Sequence, residues 1–191
     1  MSHFKNQIIK ILSISKLPNL LRSLTAEESY ILEFHGISKR KYPHLPNEIQ
    51  PYLSMTDFIK TINWLESKFN FIDFDTFQSK VKKGIVLTFD DGYANNYNNV
   101  FSFLNKKKIP AVFFLSTNYI NNSKKLFKHD IKKLKHFNIL TDNIEEEAMY
   151  DIFYCMNPRQ VLEISENKLF EIGSHMQSHP NINKCSEKEI I

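Results

Sequence analysis

The sequence predicts an α/β protein built on a parallel sheet, because short buried strands alternate with amphipathic helices. Apolar runs bounded by turn residues predict strands at 30–34, 85–89 and 111–115. Between them, apolar residues repeat at helical spacing over 56–68 and 96–108. Strands that alternate with helices in this way pair in parallel, in a sheet that is either open or closed into a barrel.

The segments before and between these elements are assigned from their apolar spacing and prolines. Residues 4–24 carry apolar residues at helical spacing, so we expect residues 1–29 to form an N-terminal helical extension. Residues 38–54 contain three prolines and are predicted to be a loop. An extended run at 71–74 and a short helix at 76–82 lead into the second predicted strand. The main domain is therefore expected to begin at residue 30.

Consecutive helices at 121–168 interrupt the alternation of strands and helices. One predicted helical face there carries four apolar side chains, namely Phe127, Ile131, Leu134 and Phe137. Pro158 suits the first turn of a further helix. His129 and His136 fall in a lysine-rich helix and are expected to face solvent. The strand pattern resumes at 169–173, so the helical block is predicted to be an insertion between two strands.

The charge distribution favours an ordinary globular protein over a nucleic-acid-binding one. The 191 residues carry a net charge of +4, and the lysines concentrate in two predicted helical regions. Such lysine runs are more often solvated helix faces than binding patches. We therefore expect no nucleic-acid partner and keep a nucleic-acid-binding module as the weaker alternative. The oligomeric state is not predicted.

Export and membrane signals are weak in this sequence. No run of eighteen apolar residues occurs, so no transmembrane helix is expected. The apolar N-terminus is interrupted by lysines and is not followed by a small-residue cleavage site. The absence of a clear signal peptide favours the cytoplasm, and the cell surface and periplasm stay open. Cys155 and Cys185 do not suggest a disulfide framework.

Two adjacent carboxylates end the predicted strand at 85–89. Asp90 and Asp91 follow an apolar run, and Gly92 provides the positive φ that a sharp turn requires. In parallel α/β folds, ligands gather at the carboxyl ends of strands. Two neighbouring carboxylates ionise together in a buried site only when a cation offsets their repulsion. A helix N-cap is the simpler interpretation of this pair, but the buried strand before it favours a metal site.

A pair of histidines follows the predicted strand at 169–173. His175 and His179 are four residues apart, which would place both imidazoles on one face of a helical turn. Because both strands end at the same edge of a parallel sheet, Asp91 could join the two histidines around one ion. Two nitrogens and one oxygen form the three-ligand set of catalytic zinc, with one position open. A metalloprotease helix is excluded, since Met176 occupies the position of its glutamate.

Two further residues near these motifs have open roles. His35 closes the strand at 30–34 and is as compatible with a structural role as with a site role. Tyr93 follows the glycine and either lines the pocket or packs in the core.

The segments Thr88–Gly92 and Ser174–Pro180 together resemble the first two motifs of the polysaccharide deacetylase family (NodB-homology domain, carbohydrate esterase family 4). The resemblance implies a distorted (β/α) barrel and a metal-dependent hydrolase that removes acetyl groups from an N- or O-acetylated polysaccharide or glycan. It implies that Asp90 is the catalytic base and that Asp91, His175 and His179 hold a divalent metal. Zinc is the expected metal, and cobalt or nickel are the alternatives.

The resemblance covers only the first part of the family's pattern. It implies that residues 30–191 form a partial deacetylase domain, with the block at 121–168 as an insertion that the family does not explain. Phe34–Ile37 resembles the Tyr-His-x-Ile start of the branch that acts on poly-N-acetylglucosamine. The family's later motifs, including a Leu-x-His general acid, do not occur before Ile191. We therefore expect an incomplete barrel, either as a fragment of an enzyme or as an incompetent remnant that keeps the metal site.

Overall fold

A five-stranded parallel sheet forms the centre of the computed structural model, which describes residues 7–10, 28–51, 53–181, 183 and 185–186. The strands of these residues are β1 (Gln7–Lys10), β2 (Tyr30–Phe34), β3 (Ile37–Ser38), β4 (Leu53–Ser54), β5 (Ile85–Phe89), β6 (Ala111–Leu115) and β7 (Phe170–Ser174). The large sheet has the order β1-β2-β5-β6-β7, and every neighbouring pair in it is parallel. Strands β3 and β4 form a separate parallel pair. The predicted α/β fold with a parallel sheet is confirmed.

Helices connect the strands and cover the sheet. Those of the described residues are α1 (Met55–Glu66), α2 (Phe74–Ser79), α3 (Ser102–Lys107), α4 (Thr117–Ile120), α5 (Lys128–His136), α6 (Glu146–Ile152) and α7 (Pro158–Ser165). A π-helical turn (Asn96–Phe101) precedes α3, and 3-10 turns occur at Asn47–Ile49 and Thr141–Asn143. Within this part of the chain, no helix combines the length and the apolar character that crossing a membrane requires.

The predicted N-terminal helix is wrong where the structure describes it. Residues Gln7–Lys10 form strand β1, which pairs in parallel with β2, and the rest of the predicted helix at 4–24 lies outside the described residues. A short run with two β-branched isoleucines fits a strand as well as a helix, so periodicity alone does not decide between them. The backbone of β2 offers that run a pairing edge, and this tertiary contact decides in favour of the strand.

Aromatic side chains fill one face of the sheet. The rings of Phe34 and Phe89 stack with centroids 5.4 Å apart, and those of Phe89 and Phe113 stack at 5.2 Å. Phe58 on α1 meets Phe34 edge-to-face at 5.3 Å. All four side chains are almost fully buried. Each contributes roughly 1.5–3 kcal/mol through removal of apolar area from water, and this packing fixes the strands whose ends carry the polar motifs.

The opposite face of the sheet has its own apolar cluster. Val86 and Val112 point to that face and pack with Ile72 and Phe77, the latter on helix α2. Because β5 is covered on both faces, all five of its residues are buried. This double burial explains the continuous apolar run in the sequence, which lacks the alternation of a half-exposed strand.

A second core joins the proline-rich loop to the helical block. It contains Tyr42, Leu45 and Ile49 from the loop and Leu134, Ile144, Ala148, Met149, Ile152, Phe153 and Tyr154 from the block. Gln50 orders the loop, because its side chain accepts from Tyr42 N at 2.7 Å and donates to Leu45 O at 2.7 Å. The helical block lies between β6 and β7 in the chain and packs on this loop rather than standing alone.

Two asparagines, one directly before the π-helical turn and one within it, join the second core to the sheet. Asn95 accepts from Ile37 N at 3.0 Å and donates to Asp151 O at 2.8 Å. Asn99 donates to Ile37 O at 2.8 Å and to Asp151 Oδ1 at 2.9 Å. Ile37 follows β2 closely and Asp151 lies on α6, so these amides hold the end of β2 against the helical block.

Replacing Asp151 with alanine should test this joint. The change removes the acceptor of Lys39 N, Tyr42 Oη and Asn99 Nδ2, which bind the carboxylate at 2.8–3.1 Å. Leaving buried donors unpaired costs about 1–3 kcal/mol each. We therefore expect the free energy of unfolding, measured in urea, to fall by at least about 2 kcal/mol. Asp142→Ala, at an exposed position of the same block, should change stability by less than about 0.5 kcal/mol. Equal effects of the two substitutions would contradict a role for Asp151 in the joint.

Candidate metal centre

A tight turn at the end of β5 presents the two aspartates. Asp90 N donates to Phe34 O at 2.8 Å, and Gly92 N donates back to Asp90 O at 2.9 Å. This hydrogen bond closes a three-residue turn around Asp91, whose φ is +73°. Gly92 follows with φ +87°, and a β-carbon there would lie 3.0 Å from Leu115 Cδ2. The predicted positive φ at Gly92 is confirmed, and Asp91 shares that left-handed conformation.

The histidine segment follows β7 without forming a helix. His175 N donates to Leu115 O at 2.9 Å, and Ser116 Oγ donates to His175 O at 2.9 Å. The backbone then adopts positive φ at Met176 (+65°) and His179 (+50°). The predicted helical turn is therefore wrong, although both histidines follow the strand end as expected.

The N-terminus of α4 explains why this segment is not helical. Thr117 N donates to Met176 O at 3.3 Å, and Asn118 N donates to Gln177 O at 2.9 Å. The first N–H groups of a helix lack partners within it and seek outside acceptors. The carbonyls of Met176 and Gln177 supply those acceptors, and these hydrogen bonds hold the segment against α4.

The side chains of Asp91, His175 and His179 converge despite the irregular backbone. Asp91 Oδ1 lies 3.5 Å from His175 Nε2 and 3.2 Å from His179 Nε2. The two imidazole centroids are 4.9 Å apart, and one ligand atom from each residue lies within 4.8 Å of the other two. The structure therefore brings together the three residues that the sequence suggested. Their role as metal ligands stays a prediction.

The Asp91 carboxylate has the environment of a cation ligand. Its side chain is 1% exposed, while those of His175 and His179 are 29% and 34% exposed. Asp91 Oδ1 accepts no hydrogen bond from any described residue. A buried carboxylate oxygen without a donor is costly unless a cation compensates it. Two imidazole nitrogens and one carboxylate oxygen form a donor set that fits a divalent ion such as zinc.

The electrostatics of Asp91 point in the same direction. Burial, followed by the negative charges of Asp90 and Asp130, raises the pKa of Asp91 to about 7. Burial also lowers the pKa of His179, which favours the neutral imidazole that binds metals. A divalent cation between these groups would offset the repulsion among the carboxylates and hold Asp91 in its charged form.

A second group of polar residues lies beside the first. Glu33, His35 and Asp90 also place one ligand atom each within 4.8 Å of one another. His35 Nε2 is 4.0 Å from Asp91 Oδ2, and its Nδ1 is 3.9 Å from Glu33 Oε1. The His35 side chain is 46% exposed, so it stands at the mouth of the site. This position places His35 next to Asp90 and the predicted ligand Asp91.

The helical block reaches the site through His129, which was expected to face solvent and whose side chain is 38% exposed. Tyr93 Oη donates to Asp130 Oδ2 at 3.0 Å and lies 3.0 Å from His129 Nε2. Because a hydroxyl has one proton, His129 Nε2 is the donor in the second contact. Burial, followed by the charge of Lys133, lowers the pKa of His129 to about 4. Burial raises the pKa of Asp130 to about 6 and that of Tyr93 well above its usual value.

Asp130 and Lys133 were not singled out from the sequence. Asp130 is the only acidic residue of α5, and it is 4% exposed. Lys133 Nζ lies 4.0 Å from its Oδ1. A lone acid among lysines on an amphipathic helix was the available signal, but a surface ion pair would give the same pattern.

A cavity of about 420 Å³ opens on this site. Asp91 and His179 line one part of it, and His129 and Lys133 line another. The proline-rich loop contributes apolar groups that include Pro51. The sheet, the loop and the helical block therefore all contribute to the walls around the candidate metal ligands.

The comparisons with known proteins agree with this architecture. The family model described as polysaccharide deacetylase matches residues 78–191, which is more than half of the chain. No curated protein sequence matches it.

Solved structures share the fold at low sequence identity. A de-N-acetylase from Aggregatibacter actinomycetemcomitans is 24% identical, with a TM-score of 0.50 over 76% of this chain and 53% of that chain. IcaB from Ammonifex degensii is 16% identical, with a TM-score of 0.53 over 83% and 56%. A polysaccharide deacetylase from Bacillus cereus is 19% identical, with a TM-score of 0.54 over 83% and 42%. The chain thus spans about half the length of these structures.

The match of the family model includes both aspartates and both histidines. It also includes the strands β5, β6 and β7 that position them. The chain belongs to the polysaccharide deacetylase family.

Proposed function

We propose that this chain carries the metal site and the base of a deacetylase that removes acetyl groups from an acetylated polysaccharide or glycan. The observation that supports it is the convergence of His175 and His179 on the buried oxygen of Asp91. Membership of the polysaccharide deacetylase family supports the substrate class. One of the similar structures is a de-N-acetylase, which is compatible with an N-acetyl substrate.

Asp91, His175 and His179 would hold the metal, and the donor set favours zinc over cobalt and nickel. When bound there, a divalent ion supplies positive charge that polarises the acetyl carbonyl and activates water for attack. The left-handed turn at Asp91 aims its carboxylate at the histidines, and burial excludes water from the side of Oδ1 that faces the protein.

Asp90 is the base in this proposal. It is 9% exposed and directly precedes the proposed ligand Asp91, so it would lie near a water bound at the metal. A carboxylate in this position removes the proton from water as the new carbon–oxygen bond forms. The bond between the acetyl carbon and the sugar nitrogen then breaks, or the bond to oxygen in an ester. The departing amine or alcohol requires one proton, and the proton that Asp90 took from water supplies it.

Metal binding by the purified chain is the first test. We expect isothermal titration calorimetry to show one zinc ion per chain. His175→Ala and His179→Ala should each weaken zinc binding by more than about 100-fold, because even residues that only orient metal ligands contribute 10–100-fold. His44→Ala alters an exposed histidine outside the site and should bind zinc like the unchanged chain. Unchanged affinity in the His175 and His179 variants would exclude the site.

Acetate release separates the role of Asp90 from that of Asp91. Asp90→Asn should keep zinc affinity within a few-fold and lower the rate of acetate release from an N-acetylglucosamine oligomer by about 10²–10⁴-fold, the usual contribution of a general base. Asp91→Asn should lose zinc binding as well. Zinc binding by the unchanged chain without any acetate release would instead support the alternative, a protein that keeps the metal site and does not turn over.

A further inference from the structure

His179 stands in a part of the chain that gives it little support from its own backbone. It lies outside the helices and strands of the described residues, with φ +50°. Its side chain is 34% exposed. A metal ligand on such a segment needs outside contacts to fix the orientation of its imidazole.

Two rings from the helical block supply such contacts. Phe127 meets the His179 imidazole edge-to-face, with centroids 5.7 Å apart and an interplanar angle of 78°. The ring of His129 meets it at 5.6 Å and 63°. Edge-to-face pairs at these distances are attractive and depend on orientation. Both rings therefore restrict how the His179 imidazole can turn.

Phe127 is itself held firmly. Its side chain is fully buried, and its ring stacks on Tyr119 at 3.9 Å and on His129 at 5.2 Å. Tyr93 packs against the same ring at 5.3 Å. Tyr119 belongs to α4, whose N-terminus binds the histidine segment.

His129 is fixed by hydrogen bonding as well as by stacking. Its Nε2 donates to Tyr93 Oη, which in turn donates to the buried carboxylate of Asp130. Tyr93 follows the turn that carries Asp91, while His129 and Asp130 belong to the helical block. The hydrogen-bond chain thus links the ring that contacts His179 to the segment that carries the first metal ligand.

We propose that Phe127 and His129 are positioning residues, which hold the His179 imidazole in the orientation that metal binding requires. The helical block is then a part of the metal centre, although it supplies no metal ligand. This inference rests on the metal site of the proposed function. Phe127 and His129 act through His179, and neither has to touch the substrate or the metal.

The test compares substitutions that remove the ring, remove the hydrogen bond, or remove neither. His129→Ala removes the ring, and His129→Phe keeps a ring without its nitrogen atoms. Tyr93→Phe keeps every ring and removes the hydroxyl that holds His129. His136→Ala alters an exposed histidine on the same helix α5 and serves as the matched control. Each variant is titrated with Co²⁺, which reports affinity and, through its visible absorption, the coordination geometry. Thermal unfolding without metal measures the structural cost of each change.

We expect His129→Ala to weaken Co²⁺ binding by about 10–100-fold, the range found for residues that orient metal ligands. The visible spectrum of bound Co²⁺ should change as the geometry loosens. His129→Phe should restore most of the affinity, because the contact with His179 is made by a ring. Tyr93→Phe should fall between the unchanged chain and His129→Ala, and it decides the outcome if His129→Ala does not fold. His136→Ala should match the unchanged chain.

Two results would overturn the inference, and they are distinguishable. If the unchanged chain binds no Co²⁺ or Zn²⁺, the proposed metal site fails and the inference fails with it. If the unchanged chain binds metal, and the variants at His129 and Tyr93 bind it with the same affinity and spectrum, only the inference fails. A lower unfolding temperature with unaltered metal binding belongs to this second result, because it shows a purely structural role.

Discussion

The buried carboxylate of Asp91 is the constraint on which the site depends. It costs free energy in two ways. The backbone at Asp91 is left-handed, which costs about 1–3 kcal/mol for a residue with a side chain. Its carboxylate is also only 1% exposed and lies next to that of Asp90 in the chain, so its negative charge is costly. The packing of β5 on both faces offsets the first cost, because it holds the end of the strand in place. The second cost is expressed in the pKa of Asp91, which burial raises. Cation binding would therefore be coupled to folding stability as well as to chemistry.

The two histidines are held by different means. His175 is tied to the sheet through backbone and hydroxyl hydrogen bonds to β6 and the residue after it. His179 depends on rings that come from the helical block. The block in turn depends on the second core that it shares with the proline-rich loop. A change far from the site, such as loss of the Asp151 hydrogen bonds, would therefore disturb the position of His179 more than that of His175.

The sequence predicted what depends on local pattern. The continuous apolar runs at 85–89 and 111–115 identified buried strands, and the polar residues that follow them could be placed at one edge of the sheet. Features decided by distant contacts were missed. Strand β1 forms through its pairing with the edge of β2. The carbonyls of the histidine segment accept hydrogen bonds from the N-terminus of α4. His129 contacts Tyr93, 36 residues away in the chain, and a lysine-rich helix offers no local sign of that contact.

The π-helical turn before α3 has a consequence for how the family can vary in length. A π turn contains one residue more than the α-helical turn it replaces. Here it separates the side of the helix that carries Asn95 from the buried Leu104 of α3. If the same residues formed a regular α-helix instead, the extra residue would rotate these two sides relative to each other by about 100°. Either the amide contacts to Asp151 or the burial of Leu104 would then be lost. The π turn therefore lets this segment hold one residue more while the same two sides of the helix keep their contacts.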